Sequence, residues 1–203
     1  MSATDAADLR PAAAGSASAP RIQVILGSTR NGRFGDRVAD WFIQHATGRD
    51  DLTAELVDLR DWPLPFFDQP TPPMRGDYTD AAQRAWAAKV AEADGFVFVT
   101  PEYNHGYPAV LKNALDHLYA EWMHKPAGFV GYGGLGGGIR AVEQLRQVVI
   151  ELAMVPVREQ VVIPSVYRVF GSGAPLDPGL DRSADALLSE VARWATSRRD
   201  VSR

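Results

Sequence analysis

Residues 96–116 of this chain read FVFVTPEYNHGYPAVLKNALD, and this stretch decides the fold. Its first four residues are apolar, β-branched or aromatic, without polar alternation, which is typical of a strand covered on both faces in a parallel sheet. Pro101 has no N–H to donate, so the sequence predicts that the chain leaves the sheet there. A helical pattern begins at Ala109. The loop between them follows the carboxyl end of a strand, where open α/β sheets bind ligands.

Strand and helix patterns alternate five times along the chain. Strands are predicted at 22–26, 54–59, 96–99, 127–131 and 155–163, and helices at 34–46, 78–93, from 109 onward, at 139–154 and at 184–196. This alternation is typical of an α/β fold, a parallel sheet with helices on both faces and right-handed crossovers. We expect five strands in the order 2-1-3-4-5, and an irregular segment at 165–179.

A proline-rich segment follows the second predicted strand. Between residues 60 and 77 lie five prolines, together with Trp62, Phe66 and Phe67, so no regular element is expected there. Two interpretations remain open for these exposed-looking aromatic side chains. They form an ordered aromatic loop on the ligand side of the sheet, or they anchor the loop to the body of the protein.

The composition excludes several classes of function. The formal charge of −4 gives no electrostatic reason to expect a nucleic-acid partner, and the absence of cysteine excludes disulfides, thiolate metal sites and cysteine nucleophiles. No apolar run approaches the roughly 20 residues of a membrane helix. We expect a cytoplasmic protein with no membrane partner, organised as a disordered tail at 1–20 and one domain at 21–203.

The loop after the first predicted strand contains Gly27, Ser28, Thr29 and Arg30. Hydroxyls, an arginine and the N–H groups of a helix start suit a phosphate, but Ser and Thr are also favoured in an ordinary capped turn. Both interpretations stay open. The loop lacks the Gly-Lys-Ser/Thr ending of an ATP-hydrolysing P-loop and the G-x-G-x-x-G spacing of a dinucleotide fold.

The loop after the third predicted strand, Pro101 to Asn104, can place backbone amides and a planar side chain against an aromatic ligand. Glu102 and His105 are acid–base candidates, but we favour local capping or pairing for Glu102 and a solvent-exposed position for His105. Lys112 and Asp116 are four residues apart on the following helix. This spacing favours a surface ion pair over a catalytic couple.

The loop after the fourth predicted strand, residues 131–138, has the sequence GYGGLGGG. A flat ring could lie against such a backbone without side chains in the way, although a mobile turn has the same composition. Because all three loops follow parallel strands, they meet at the carboxyl edge of the sheet, around its switch point.

Three motifs resemble the NADPH-dependent FMN reductase family over about residues 22–164: GSTR at 27–30, PEYN at 101–104 with LKNALD at 111–116, and YGG at 132–134. The resemblance implies a flavodoxin-like fold and non-covalent FMN. It implies that hydride passes from NADPH or NADH through FMN to a small acceptor such as a flavin or quinone. It also implies no metal and no catalytic side chain, since the flavin carries the chemistry.

The resemblance further implies which residues hold FMN. The phosphate would lie against Ser28, Arg30, Arg33, Phe34 and Gly35; the ring would lie against Pro101, Glu102, Tyr103, Asn104, Tyr132, Gly133 and Gly134. Phe34 stands where relatives often have a small polar residue, so one hydroxyl donor is missing.

The same resemblance implies a homodimer or homotetramer, with the flavin near a subunit boundary formed by Tyr107, Trp122 and Phe66–Phe67. Two alternatives remain from the residues alone. One is a flavodoxin-type electron carrier that does not use a nicotinamide, although its phosphate loop would be richer in hydroxyls. The other is a flavin-binding regulatory or scaffold protein without turnover.

Overall fold

The computed structural model describes residues 18–171 and 177–201, so most of the predicted tail lies outside the described residues. Five strands form one sheet: β1 Arg21–Leu26, β2 Thr53–Asp58, β3 Gly95–Pro101, β4 Pro126–Tyr132 and β5 Val155–Ile163. The helices of the described part are α1 Gly35–Ala46, α2 Ala81–Ala91, α3 Ala109–Asp116, α4 Ile139–Glu151, α5 Val166–Val169 and α6 Pro178–Val201. A single 3₁₀ turn, Pro73–Arg75, interrupts the proline-rich segment.

The sheet has the order β2-β1-β3-β4-β5, and every neighbouring pair is parallel. The predicted fold class and strand order are confirmed. The central strand β3 is buried along its whole length, as its unbroken apolar run indicated, and so is its neighbour β4. The order places the ends of β1, β3 and β4 next to one another at the carboxyl edge.

Alternate residues of β3 face two separate hydrophobic cores. Val97 and Val99 pack on the side of α1 and α6, whereas Phe96 and Phe98 pack on the side of α2, α3 and α4. Trp122 lies in this second core, fully buried, with its ring centroid 4.8 Å from that of Phe96. The expectation that Trp122 reaches a subunit boundary is therefore wrong, because its surface is already covered within one chain.

The proline-rich segment is anchored to α3. The Asn113 side chain accepts a hydrogen bond from the Phe67 N–H at 3.0 Å and donates to the Pro65 carbonyl at 2.8 Å. Trp62 is half-buried, with its ring centroid 5.2 Å from that of Trp86. These contacts favour the anchoring interpretation for Trp62, whereas Phe66 remains 81% exposed.

Two boundaries differ from the prediction. The segment expected to be irregular contains the short helix α5, and α6 begins at Pro178, earlier than predicted. The Asp177 side chain accepts a hydrogen bond from the Gly179 N–H at 2.7 Å, which caps the helix, and proline is favoured at a first helical position. Within residues 18–171 and 177–201, no helix combines the length and hydrophobicity of a membrane-spanning segment.

Candidate functional site

One cavity of about 240 Å³ opens where the three predicted loops meet. Its lining contains most of the predicted site residues together with two from α5 that the sequence did not indicate. The lining residues are Arg30, Arg33, Phe34, Pro101, Glu102, Tyr103, Tyr132, Gly133, Gly134, Val166 and Tyr167. Three predicted site residues do not line the cavity, although each is close in sequence to a residue that does: Ser28, Gly35 and Asn104.

The first loop is tied directly to the second. Ser28 is fully buried, and its Oγ lies 2.7 Å from the Tyr103 hydroxyl. The same Oγ accepts a long hydrogen bond of 3.4 Å from the Arg30 N–H. The two loops that were predicted to hold opposite ends of one ligand are therefore joined by a side-chain hydrogen bond.

Arg33 is a structural hub beneath this loop. Its side chain is 1% exposed and donates to the carboxylates of Asp36 and Asp58 and to the Ser28 carbonyl. Five hydrogen bonds use the five N–H donors of a guanidinium, among them Nε to Asp36 and Nη1 to Asp58, both at 2.8 Å. Arg33 thus pairs with two carboxylates and fixes the loop, with no donor left over for a ligand.

The contacts of Arg33 with the two carboxylates shift the pKa values of Arg33 and Asp58. Burial alone would lower the pKa of Arg33, but the hydrogen bonds to Asp58 and Asp36 raise that pKa above its ordinary value. For Asp58, burial alone would raise the pKa, but the hydrogen bond from Arg33 keeps the pKa below its usual value. Both groups are therefore charged at neutral pH, and their charges compensate.

The start of α1 faces the cavity without a side-chain cap. Its capping residue is Phe34, which makes no side-chain hydrogen bond to the helix, so the first N–H groups remain available as donors. Arg30 is exposed nearby, and its backbone carbonyl accepts a hydrogen bond of 2.8 Å from Arg60. The sequence did not indicate Arg60 as a neighbour of this loop, because Arg60 follows β2 and is thirty residues away from Arg30.

The second loop is a tight two-residue turn. Tyr103 and Gly106 exchange backbone hydrogen bonds of 2.8 and 2.9 Å, and the residues between them, Asn104 and His105, have φ of 50° and 70°. Positive φ at both central positions is the mark of a type I′ turn, in which Asn is strongly favoured. The turn holds Asn104 and His105 exposed to solvent, and the exposed position predicted for His105 is confirmed.

Glu102 is held by α4. Its carboxylate accepts hydrogen bonds from the Arg140 backbone N–H at 3.1 Å and from the Arg140 guanidinium at 2.7 Å. Burial alone would raise the pKa of Glu102, but Arg140 lowers it, so Glu102 stays ionised and is not a proton donor at neutral pH. The surface pair of Lys112 and Asp116, at 2.7 Å, is confirmed, whereas the partner of Glu102 is not local as predicted but lies 38 residues along the chain.

The third loop is closed by the segment that follows β5. The Gly134 carbonyl accepts from the Ser165 N–H at 2.7 Å, and the Gly133 carbonyl accepts from the Val166 N–H at 2.9 Å. Gly138 has φ of 87°, and a Cβ there would lie 2.4 Å from the Tyr132 nitrogen. The glycines therefore allow a close backbone crossing, and they bring α5 with Tyr167 to the cavity wall.

Tyr132 ends β4 beneath the cavity. The residue is 3% exposed, and its hydroxyl has no hydrogen-bond partner among the described residues. Gly35, the first residue of α1, lies against it, since a Cβ on Gly35 would be 2.6 Å from the hydroxyl oxygen. Burial raises the pKa of Tyr132 well above its ordinary value, so the hydroxyl keeps its proton and is a potential donor.

Comparison with known proteins identifies the family of this chain. Residues 20–168 match the sequence profile of the NADPH-dependent FMN reductases. The chain belongs to this family. An NAD(P)H-dependent FMN reductase of Schizosaccharomyces pombe is 46% identical over 149 residues, 71% of this chain and 74% of that protein. A 2-hydroxy-1,4-benzoquinone reductase of a Burkholderia species is 30% identical over 192 residues, 88% of this chain and 98% of that protein.

The fold of this FMN reductase is similar to that of a solved flavoenzyme structure. FerB, a flavoenzyme NAD(P)H:(acceptor) oxidoreductase from Paracoccus denitrificans, aligns with a TM-score of 0.71 at 21% identity. The alignment covers 88% of this chain and 98% of FerB. The fold is flavodoxin-like, and the family assignment makes the protein an FMN-dependent NAD(P)H oxidoreductase.

The residues of this FMN reductase fit its cofactor. An uncapped helix start, the cationic Arg30 and a buried hydroxyl without a partner are donor groups of the kind that a phosphate requires. Gly35 has no side chain, which allows the Tyr132 hydroxyl to pack directly against the helix start, since a Cβ would lie 2.6 Å from that oxygen. The nearby carboxylates of Asp36 and Asp58 would repel an anion, but they lie against two cations, Arg33 and, at 3.8 Å from Asp36, Arg60. No group of three or more His, Asp or Glu side chains in the described part of the chain is placed to hold a metal ion.

Proposed function

We propose that this FMN reductase holds FMN in the three-loop cavity and uses NAD(P)H to reduce small quinone or flavin acceptors. One observation carries the proposal: the loops after β1, β3 and β4 converge on a single cavity at the switch point of the sheet. The quinone class is supported by the Burkholderia relative, whose name specifies a 2-hydroxy-1,4-benzoquinone as substrate.

Each loop would have a different task in binding the cofactor. Ser28, Arg30 and the N–H groups of Phe34 and Gly35 would bind the phosphate, because hydroxyls, a guanidinium and a helix start all donate to anions. Arg33 would act as a positioning residue that fixes the Ser28 carbonyl, since its own donors are fully used.

The other two loops would hold the ring. Residues 101–104 would supply a backbone edge and the Tyr103 side chain, and Gly133 and Gly134 would allow the backbone to approach closely. Bound FMN would supply the redox chemistry, taking two electrons from NAD(P)H and delivering them to the acceptor. The protein's part is to hold and orient the cofactor; Glu102 is not a proton donor, because Arg140 keeps it ionised.

The open surroundings of the cavity suit a small, flat acceptor. A neighbouring groove of about 630 Å³ shares Tyr167 with the cavity. Tyr167 is 56% exposed and gives both spaces an aromatic wall. Few fixed polar groups line this side, which supports acceptors of several shapes over one strictly recognised substrate.

The oligomeric state and the location belong to the same proposal. We assign a homodimer or homotetramer, supported by two exposed apolar side chains near the proline-rich segment, Phe66 at 81% and Met74 at 67%. Light scattering on the purified protein measures the mass directly, and a monomer at micromolar concentration would contradict the assignment. A cytoplasmic location is proposed because NAD(P)H is an intracellular reductant.

An anaerobic reduction tests the proposed function. The protein is saturated with FMN, freed of excess, and mixed with NADPH or NADH while the visible flavin absorbance is followed. We expect bleaching by a nicotinamide nucleotide and recovery of the absorbance on adding a benzoquinone. Retained FMN that neither nucleotide bleaches would contradict the proposal.

A pair of variants ties this reaction to the cavity. Arg30→Ala removes a cation beside the uncapped helix start and should weaken FMN binding by about tenfold or more, the effect of one charged hydrogen bond. Arg158→Ala is the matched control, since the Arg158 side chain is 94% exposed on β5 and does not line the cavity. Equal FMN affinity in the two variants would contradict the assignment of Arg30.

A further inference from the structure

The hydroxyl of Tyr132 is the most unusual polar group in the described part of the chain. Three buried side-chain polar atoms there lack a hydrogen-bond partner: Gln23 Oε1, His117 Nδ1 and the Tyr132 hydroxyl. Gln23 and His117 each make a hydrogen bond through their other polar atom. The hydroxyl is the only polar atom in the Tyr132 side chain, so this side chain makes no hydrogen bond at all. A buried hydroxyl without a partner destabilises the folded protein, and phenylalanine would avoid that cost.

The position of this hydroxyl points to one end of the cavity. Its oxygen lies against Gly35, the first residue of α1, where the helix N–H groups have no side-chain cap. Burial and the neighbouring Tyr103 raise the pKa of this hydroxyl; among the charged groups near it, Arg33 and Arg30 act to lower the pKa and Asp36 acts to raise it. The hydroxyl therefore lies beside uncapped N–H groups and two arginines as well as Asp36, and an anion bound at the helix start would give it an acceptor.

We propose that the Tyr132 hydroxyl donates a hydrogen bond to the phosphate of FMN and so belongs to the phosphate site. This inference rests on the proposed function, because it takes FMN as the ligand of the cavity. It assigns the hydroxyl to a different end of the cofactor from the ring contact that the family resemblance implied. Tyr132 lines the cavity, and its hydroxyl is buried against Gly35, next to the N–H groups that begin α1.

The chemistry of the group suits this role. Because burial raises the pKa of Tyr132, the hydroxyl stays protonated at neutral pH and can donate a hydrogen bond. Phe34 contributes no hydroxyl to the helix start, so a donor from β4 replaces one that the α1 side does not supply. The site then binds the phosphate from two elements, α1 and β4.

The variant Tyr132→Phe tests the proposal through binding and stability. Dissociation constants are measured by calorimetry for FMN and for riboflavin, which has the same ring and ribityl chain but no phosphate. We expect FMN binding to weaken roughly ten- to hundredfold, the range for one hydrogen bond to a charged group. Riboflavin binding should be unchanged, and the thermal midpoint of the FMN-free protein should be equal or higher, since the hydroxyl has no partner to lose.

Tyr78→Phe is the matched control. The Tyr78 hydroxyl donates to Glu121 at 2.7 Å, and Tyr78 does not line the cavity. This variant should lower the thermal midpoint and leave the FMN affinity unchanged, the reverse of the Tyr132 result. The two variants together distinguish a hydroxyl that binds a ligand from a hydroxyl that stabilises the fold.

Three results would overturn the inference. Unchanged FMN affinity in Tyr132→Phe would mean that the hydroxyl does not contact FMN. Equal weakening of FMN and riboflavin would place its contact away from the phosphate. A lower thermal midpoint of the FMN-free variant would mean that the hydroxyl already has a partner. Failure of the wild-type protein to bind FMN would instead refute the proposed function, so the two failures are distinguishable.

Discussion

Replacing Arg33 by methionine tests whether this residue supports the phosphate loop or binds the phosphate itself. The change keeps an unbranched side chain but removes the guanidinium that joins Ser28, Asp36 and Asp58. It leaves the Asp58 carboxylate, which is 22% exposed, without its cationic partner in a mostly buried position. The FMN-free protein should therefore lose stability even when no ligand is present.

The magnitude follows from the burial of the groups involved. Removing one partner of a buried ion pair costs about 3–5 kcal/mol, and the partial exposure of Asp58 favours the lower end. Asp36 is 48% exposed, so its lost pairing adds less than about 1 kcal/mol. The expected loss is about 3–4 kcal/mol, which lowers the thermal midpoint of a chain of this size by roughly 6–16 °C.

Urea unfolding of the FMN-free protein, followed by tryptophan fluorescence, measures this loss. Arg30→Ala is the control and should change the free energy of unfolding by less than about 0.5 kcal/mol, because Arg30 is exposed. Adding Asp58→Asn to Arg33→Met should recover about half of the loss by removing the uncompensated charge. If Arg33→Met keeps wild-type stability and loses only FMN affinity, Arg33 is a phosphate ligand and the reasoning is refuted.

Two further predictions concern the charged groups around the site. Glu102→Gln should lower the free energy of unfolding by about 1 kcal/mol, because it weakens the contact with Arg140 at the start of α4. It should keep the rate of quinone reduction; a hundredfold slower turnover with normal FMN binding would contradict the structural role. The second prediction is that the free energy of unfolding decreases at acidic pH. Because the pKa of folded Asp58 lies below its ordinary 3.8, the unfolded chain binds protons first as the pH falls. Stability should therefore drop below about pH 4, and less steeply in Asp58→Asn; parallel curves for the two proteins would contradict this.

The sheet and the three loops were predictable because their signals are local. Unbroken apolar runs predicted the central strands, and each loop carried its own motif next to the strand that positions it. The preference of Asn104 for a position with φ of 50° is likewise a property of the residue and its neighbours. A short stretch of sequence was enough for each of these features.

The missed features depend on residues far apart in the chain. Arg33 was assigned to the phosphate, but its partner Asp58 is 25 residues away and reaches it only when β2 pairs with β1. Tyr167 lines the cavity because backbone hydrogen bonds hold the segment after β5 against Gly133 and Gly134. Trp122 was placed at the surface because the sequence gives no indication that Phe96 would cover it. In each case tertiary packing decided the outcome.

Diffraction from crystals grown with FMN tests the central claim most directly, since it locates the cofactor. We expect density for the phosphate beside Ser28, Arg30 and the start of α1, with the ring between residues 101–104 and the pair Gly133 and Gly134. Density for FMN in any other place, for example in the groove of Tyr167 and Arg168 alone, would contradict it.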